Sequence, residues 1–305
     1  MVRSGALIAA ACFALLVGCN NEGPVSSSAK LDRPGEVTAA KALLQPEDLL
    51  AWPKDRPAPF IIDARPLSVY KHGHIPGAAQ VWRKAIARND LPYTGMAITR
   101  DGMRHLLDSI GLRPDQTVVV YDDRGNCDAA RLWWLLTVYG HPQVALLDGG
   151  YRHWQNSGQP VDLSPVSTSP SGYHFPGALD SSLVATLGDV QRSVADQRAV
   201  LLDTRSLEEH TGAEMKPEAF RAGAIPGSVL YDWGNALDMG RDQCIKEASI
   251  LRAQLAALGI DQEDTVITYC HSGVRSAHTT FVLTQVLGMK HVRNYDGSWT
   301  EWSFH

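Results

Sequence analysis

The chain repeats itself, and the repeat constrains the fold more than any other feature. Phe60-Ile-Ile-Asp63-Ala-Arg65 returns as Val200-Leu-Leu-Asp203-Thr-Arg205, and His74-Ile-Pro-Gly77-Ala78 returns as Ala224-Ile-Pro-Gly227-Ser228. Ile110-Gly-Leu112 followed by Thr117-Val-Val-Val-Tyr121 returns as Leu258-Gly-Ile260 followed by Thr265-Val-Ile-Thr-Tyr269. Asp148-Gly-Gly150 with Trp154 returns as Asp296-Gly-Ser298 with Trp302. Four blocks in the same order mean one unit used twice, so the two halves share one architecture. The spacing between the first two blocks is longer in the second copy, which places an insertion within Glu208 to Phe220.

Within each copy, short apolar strands alternate with helical patterns. Phe60 to Asp63 reads as a strand, Pro66 to His72 as a turn and helix, Gly102 to Gly111 as a helix, and Thr117 to Tyr121 as a strand. Alternation of this kind predicts an α/β fold, each copy a mainly parallel sheet with helices on both faces. Residues 37–160 form the first domain, 161–179 a linker rich in Pro and Ser without periodicity, and 180–305 the second domain.

The N-terminus reads differently. Arg3 supplies a positive charge, Ala6 to Val17 an apolar stretch, and Leu16-Val-Gly-Cys19 follows at once, which is the pattern of a secretory signal over residues 1–18. The apolar run is shorter than the roughly 20 residues a membrane helix needs. The ending resembles a bacterial lipobox. That resemblance implies that Cys19 becomes the acylated first residue of the mature chain, that residues 19–36 form a tether, and that a membrane-anchored lipoprotein faces the periplasm or the extracellular side. The formal net charge of −5 gives no support to a nucleic-acid partner.

Chemistry concentrates at Tyr269-Cys-His-Ser-Gly-Val-Arg275-Ser-Ala-His278. A β-branched strand precedes Cys270 and a helical pattern follows Ser276, so Cys270 to Arg275 is the turn between them. Such a turn aims backbone N–H groups and the positive end of the next helix at an anion. A thiolate at Cys270 or a bound oxyanion fits there, with Arg275 adding a fixed positive charge. Five cysteines are present; Cys12 leaves with the signal and Cys19 is consumed by acylation, leaving Cys127, Cys244 and Cys270. Three thiols cannot all pair with one another. A Cys127–Cys244 disulfide is compatible with the composition but nothing in the spacing requires it. Aligning the two copies on Tyr121 and Tyr269 sets Asp122 opposite Cys270 and Cys127 opposite Arg275, so the first copy has lost its nucleophile and serves as a wall of the site. No clustered Cys/His ligand spacing implies a metal, and no cofactor is required.

Taken together, Asp63-Ala-Arg65 with Gly73-His-Ile-Pro-Gly77, Asp203-Thr-Arg205 with Ala224-Ile-Pro-Gly227, the Cys270 turn and Tyr295-Asp-Gly-Ser-Trp299 resemble the tandem-domain rhodanese family of sulfurtransferases. The resemblance runs from about residue 37 to the end. It implies that Cys270 takes a sulfur from a small donor such as thiosulfate, holds it as a persulfide and yields it to cyanide or a thiol, with a protein as a further candidate acceptor. His271, Ser272, Gly273, Val274 and Arg275 then bind substrate, Arg275 holding the anionic end of the donor and stabilising the thiolate, and His271 adding charge at the rim. Asp203 and Arg205 recur in the inactive copy as Asp63 and Arg65 and are therefore architectural, as are Trp154 and Trp302. His278 is a packed structural histidine.

Mercaptopyruvate is the alternative donor. Family members that use it carry Cys-Gly-Ser-Gly-Val-Thr, which matches Ser272, Gly273 and Val274 but neither His271 nor Arg275. They also place an arginine where this chain has Glu209, and that departure favours thiosulfate. A persulfide carrier or redox sensor without turnover is the alternative of another class. Phosphatases built on a cysteine turn use Cys-x5-Arg, whereas Cys270 and Arg275 make Cys-x4-Arg, a turn too short for that larger group.

Overall fold

The computed structural model describes residues 41–305. The signal segment, the lipobox with Cys19, the tether and the first residues of the first domain lie outside the described residues. No helix among the described residues is long and apolar enough to cross a membrane.

The first domain runs β1 (Leu43–Leu44), α1 (Pro46–Leu50), β2 (Phe60–Asp63), α2 (Leu67–Tyr70), β3 (Ala79–Gln80), α3 (Arg100–Ser109), β4 (Val118–Tyr121), α4 (Cys127–Val138), β5 (Val144–Leu147) and α5 (Gly150–Asn156). The second runs β6 (Val184–Ala185), α6 (Leu187–Asp196), β7 (Val200–Asp203), α7 (Leu207–Thr211), β8 (Val229–Leu230), β9 (Leu237–Asp238), β10 (Cys244–Ile245), α8 (Ala248–Ala257), β11 (Val266–Tyr269), α9 (Val274–Phe281), β12 (Val292–Tyr295) and α10 (Ser298–Phe304). Each domain holds one five-stranded sheet, in the orders β1-β5-β4-β2-β3 and β6-β12-β11-β7-β8. All the pairings within these two sheets are parallel. Matching strands copy by copy makes the two orders identical, as the duplication requires.

The period-two alternation of the strands divides the core. Val118 and Val120 of β4 point into a large cluster that continues into the second domain through Ala277 and Phe281, while Val119 and Tyr121 face a smaller cluster on the outer side. In β11, Val266 joins the shared cluster and Ile267 and Tyr269 the outer one of the second domain. The shared cluster is centred on α4 packed against α9, where the Trp133 ring meets Phe281 edge to face at 4.9 Å. The strand ends that carry Asp122 and Cys270 thus flank one domain interface.

The repeated blocks form one buried network built twice. Arg65 Nη2 donates to Asp63 (2.5 Å) and to the carbonyl of Gly73 (2.7 Å), and Arg205 Nη2 donates to Asp203 (2.6 Å) and to the carbonyl of Gly223 (2.9 Å). The hydroxyls of Tyr121 and Tyr269 donate to the same carboxylates and accept the N–H of Ile75 and Ile225. A buried ion pair is costly to break but survives here because its remaining donors and acceptors are met. The network ties β2 and β7 to the Ile-Pro-Gly turns, which accounts for the duplication of those residue types.

The linker is not free chain. Asp162 and His74 exchange backbone hydrogen bonds (2.9 and 3.0 Å), and Asp108 Oδ1 accepts the N–H groups of Ser171, Gly172 and Tyr173 (3.0, 2.6 and 3.1 Å). Backbone and carboxylate hydrogen bonds and the buried ring of Tyr173, rather than a repeating hydrophobic period, hold this segment on the first domain, which is why no periodicity marks it. The insertion of the second copy carries α7 on into a loop whose Lys216 and Glu218 reach the domain interface.

Candidate active site

Cys270 follows directly on β11, and Gly273, with φ of 75°, turns the chain into α9. That left-handed conformation suits glycine, which has no Cβ to strain. The turn is tied down from α10: the N–H of Trp299 donates to the carbonyl of Cys270 (2.9 Å) and that of Thr300 to the carbonyl of His271 (3.0 Å). Ser298 Oγ accepts the N–H of both Cys270 (3.1 Å) and Gly273 (3.0 Å). Ser298 adopts φ of 49°, a conformation uncommon for a side-chain-bearing residue, where the first copy has Gly150. The hydroxyl in that strained position is what spans the turn.

The Cys270 thiol is 1% exposed and faces a cavity of about 440 Å³ lined by Arg83, Arg124, Lys216, Glu218, Trp233, His271, Ser272, Val274 and Arg275. Burial alone pushes its pKa up. The Arg275 charge, the Ser276 hydroxyl at 3.5 Å and the N–H groups of Ser276 and Ser272 outweigh burial, and the net pKa lies below the ordinary thiol value. A thiolate is the nucleophilic form, so this cysteine is set up to react. Cys127 and Cys244 are also free and buried, and no disulfide joins them. Burial and neighbouring carboxylates push both of those thiols up, Cys244 to about 11.

Several predicted site residues sit differently from expectation. Arg275 does not present a free guanidinium: Nη1 and Nη2 donate to the two Glu209 oxygens at 2.6 and 2.8 Å. Bidentate pairing of this kind fixes the fork and leaves its charge, rather than its donors, for Cys270. Glu209 is buried, which by itself raises its pKa, but the Arg275 contacts bring the net value below the ordinary carboxyl. His271 lines the cavity, yet burial pushes its imidazole below its usual value, so at neutral pH it adds no charge; Glu218 lies 3.8 Å away. Gly273 turns its N–H to Ser298 rather than to the thiol, while Ser272 and Val274 line the cavity as expected. His278 is fully buried against Trp233, and burial lowers its pKa to about 4.

The first domain was expected to wall the site, but the residues that do so escaped the sequence. Arg83 and Arg124 enter the cavity from that domain, and Arg131 of α4 donates to the carbonyl of Gly273 (3.2 Å) while pairing with Asp296 (2.5 Å). No spacing within the Cys270 turn points to these residues, because they come from the other copy. Ser298 did leave a signal: it breaks the Gly150 match in an otherwise repeated block.

The silent turn is informative. Asp122 Oδ1 accepts the N–H of Arg124 (2.7 Å) and Asn126 (2.8 Å), and Oδ2 accepts the N–H of Asp128 (2.7 Å) and Ala129 (3.0 Å). A carboxylate occupies the anion cradle of this copy. The cradle persisted when the nucleophile did not.

Comparison with known proteins agrees with this geometry. Residues 45–157 and 186–305 match the rhodanese-like domain. The sulfur carrier protein TtuD of Thermus thermophilus is 36% identical over 244 residues, covering 77% of this chain and 84% of its own. A protein of Mycobacterium tuberculosis named "Putative thiosulfate sulfurtransferase SseA" is 38% identical over 242 residues, covering 77% and 78%. The crystal structure of the Tum1 protein from Saccharomyces cerevisiae superposes with a TM-score of 0.75 at 26% identity, over 85% of this chain and 94% of that one.

Proposed function

The chain belongs to the rhodanese family, with two rhodanese-like domains in tandem and sulfurtransferase or sulfur-carrier activity of that type, and from this premise we propose that it takes sulfur from thiosulfate through a persulfide on Cys270. The observation that carries the reading is a thiol with a lowered pKa at the focus of a cationic cavity. The Cys270 thiolate attacks the outer sulfur of thiosulfate, the sulfur–sulfur bond of the donor breaks, and sulfite leaves with the bonding pair. The new bond joins Sγ to the transferred sulfur. A nucleophile such as cyanide or a thiolate then attacks that outer sulfur and Cys270 departs as the thiolate, which closes a ping-pong cycle.

The cavity supports a compact dianion as donor. Arg124 and Lys216 line it with exposed side chains (53% and 38%), and their partners stand off at 3.4 and 3.6 Å or more. Arg275 contributes a charge that Glu209 offsets only in part, and that charge lowers the cost of holding a thiolate beside an incoming anion. Mercaptopyruvate is less well served, because Glu209 stands where a carboxylate anchor is needed. The name of the Thermus relative favours a second reading, a sulfur carrier that hands its persulfide to another protein.

Steady-state assay with thiosulfate and cyanide separates the two. Continuous thiocyanate formation, absent from Cys270→Ser, supports the enzyme. One sulfur added per chain at Cys270 without turnover selects the carrier, and no added sulfur with any donor rejects both. We further place this activity at a membrane surface facing the periplasm through acylation of Cys19, since several acyl chains anchor firmly where one does not. Detergent-phase partitioning that survives Cys19→Ala would reject that placement.

A further inference from the structure

A second cavity, of about 290 Å³, adjoins the one that holds Cys270 and shares Arg83, Glu218, Ser272 and Val274 with it. Arg83, Lys84 and Ile86 of the short helical turn Arg83–Ile86 of the first domain line it together with Asn89, and Cys270 does not. Lys84 lines only this outer cavity. Its side chain is exposed, lies 5.0 Å from the Trp82 ring, and makes no ion pair among the described residues. Arg83, at the junction, is 43% exposed with Asp128 at 3.7 Å. The groove carries one opposing carboxylate, Glu218, whose neighbour is His271 at 3.8 Å. Arg131 closes the far wall with its charge spent on Asp296.

Thiosulfate keeps its sulfonate on the atom next to the transferred sulfur, and cyanide has no tail at all. Neither carries a negative group remote from its reacting atom. A cation that lines the adjoining cavity but not the reacting one selects for a molecule whose negative group is remote from its reacting sulfur. We propose, on the basis of the Cys270 persulfide reading, that this groove is an acceptor subsite for a small thiol bearing a carboxylate, with Lys84 and Arg83 holding the carboxylate. Binding energy at the remote group orients the thiolate toward the persulfide. The acceptor sulfur bonds to the outer sulfur of the Cys270 persulfide, the bond from that sulfur to Sγ breaks, and Cys270 leaves as thiolate. The acceptor departs as its own persulfide, with atoms and electrons conserved.

The test compares two thiols on the full chain: glutathione, which carries two carboxylates, and dithiothreitol, which carries none. Lys84→Ala raises the KM for glutathione by at least about threefold relative to that for dithiothreitol, the size expected of an exposed charge contact. Lys84→Arg restores the ratio, Lys84→Glu worsens it, and added salt shrinks the difference. An unchanged ratio, with Cys270 persulfide forming normally from thiosulfate, overturns the subsite alone. Failure of the unaltered chain to form any persulfide overturns both the subsite and the reading beneath it. Discharge by a reduced thiol protein that is impaired by Lys84→Ala, alongside an unchanged glutathione ratio, assigns the groove to a protein acceptor and likewise rejects the proposal.

Discussion

Arg131, on a helix of the silent domain, donates to the carbonyl oxygen of Gly273 in the catalytic turn at 3.2 Å and ion-pairs with Asp296 at 2.5 Å. The turn is therefore braced from both domains, by Ser298 on one side and Arg131 on the other. Arg131→Ala leaves Asp296 nearly buried without its partner, which costs about 3–5 kcal/mol in urea denaturation. It also leaves the Gly273 carbonyl with only the longer contact from Asn294 (3.4 Å) and slows sulfur loading of Cys270. Arg131→Lys keeps the charge but loses the fork. We expect it to recover most of the stability and less of the rate; equal recovery of both would reduce Arg131 to a stabilising residue.

The Glu209 clamp sets the effective charge that Cys270 feels. Arg275→Ala removes the main cationic influence on the thiol, so alkylation at pH 7 slows by about tenfold or more and its pH midpoint moves up. Glu209→Gln acts in the opposite sense, leaving Arg275 uncompensated and moving the midpoint down. If Glu209→Gln also moved it up, the carboxylate would be acting on the loop's shape rather than its charge.

Glu209 also makes stability depend on pH. Its folded pKa lies below the unfolded value near 4.5, so its stabilising contribution is complete above that value and is lost as pH falls through the folded value. The unaltered protein loses this contribution as pH falls from about 4.5 through the lower folded value, and Glu209→Gln loses less over the same interval. Parallel urea midpoints for the two proteins would contradict this assignment.

Thiol mapping checks the division of labour among the cysteines. Burial and charged neighbours hold Cys127 and Cys244 protonated at neutral pH, whereas Cys270 is lowered. Brief iodoacetamide treatment of the native protein at pH 7.5 labels Cys270 alone of these three, and unfolding exposes the others. Labelling of Cys127 at a comparable rate would show a second active thiol at the interface.

How much of this was legible follows from where the information sits in the chain. Asp63, Arg65 and Tyr121 with their counterparts Asp203, Arg205 and Tyr269 could be read because each network recurs within its own copy. Cys270 stood out because its counterpart is Asp122. Arg83, Arg124 and Arg131 act across the interface on the other copy, and a contact between segments well over 100 residues apart leaves no local period. Arg275 was assigned the right position and the wrong availability, since the Glu209 fork depends on the fold of α7 against the turn. His271 was expected to add charge, but that depended on an exposure that burial removes.

Asp122 shows what the inactive copy now does. Four N–H groups converge on its carboxylate, two from the loop that carries Arg124 into the other domain's cavity and two from the first turn of α4. Burial and the nearby Asp128 push its pKa up while the N–H groups favour the ionised form. Asp122→Ala removes the shared acceptor and leaves several buried donors unmet, at about 1–3 kcal/mol for each that finds no water. The loop then loosens, so that Arg124 is no longer held in the wall of the Cys270 cavity. The expected signature is a lower urea midpoint together with a raised KM for thiosulfate, while kcat at saturation changes little because Cys270, Ser276 and Arg275 all lie in the intact domain. A fall in kcat with an unchanged KM would show instead that the first domain supports the chemistry through the α4–α9 contact rather than through the loop at Arg124.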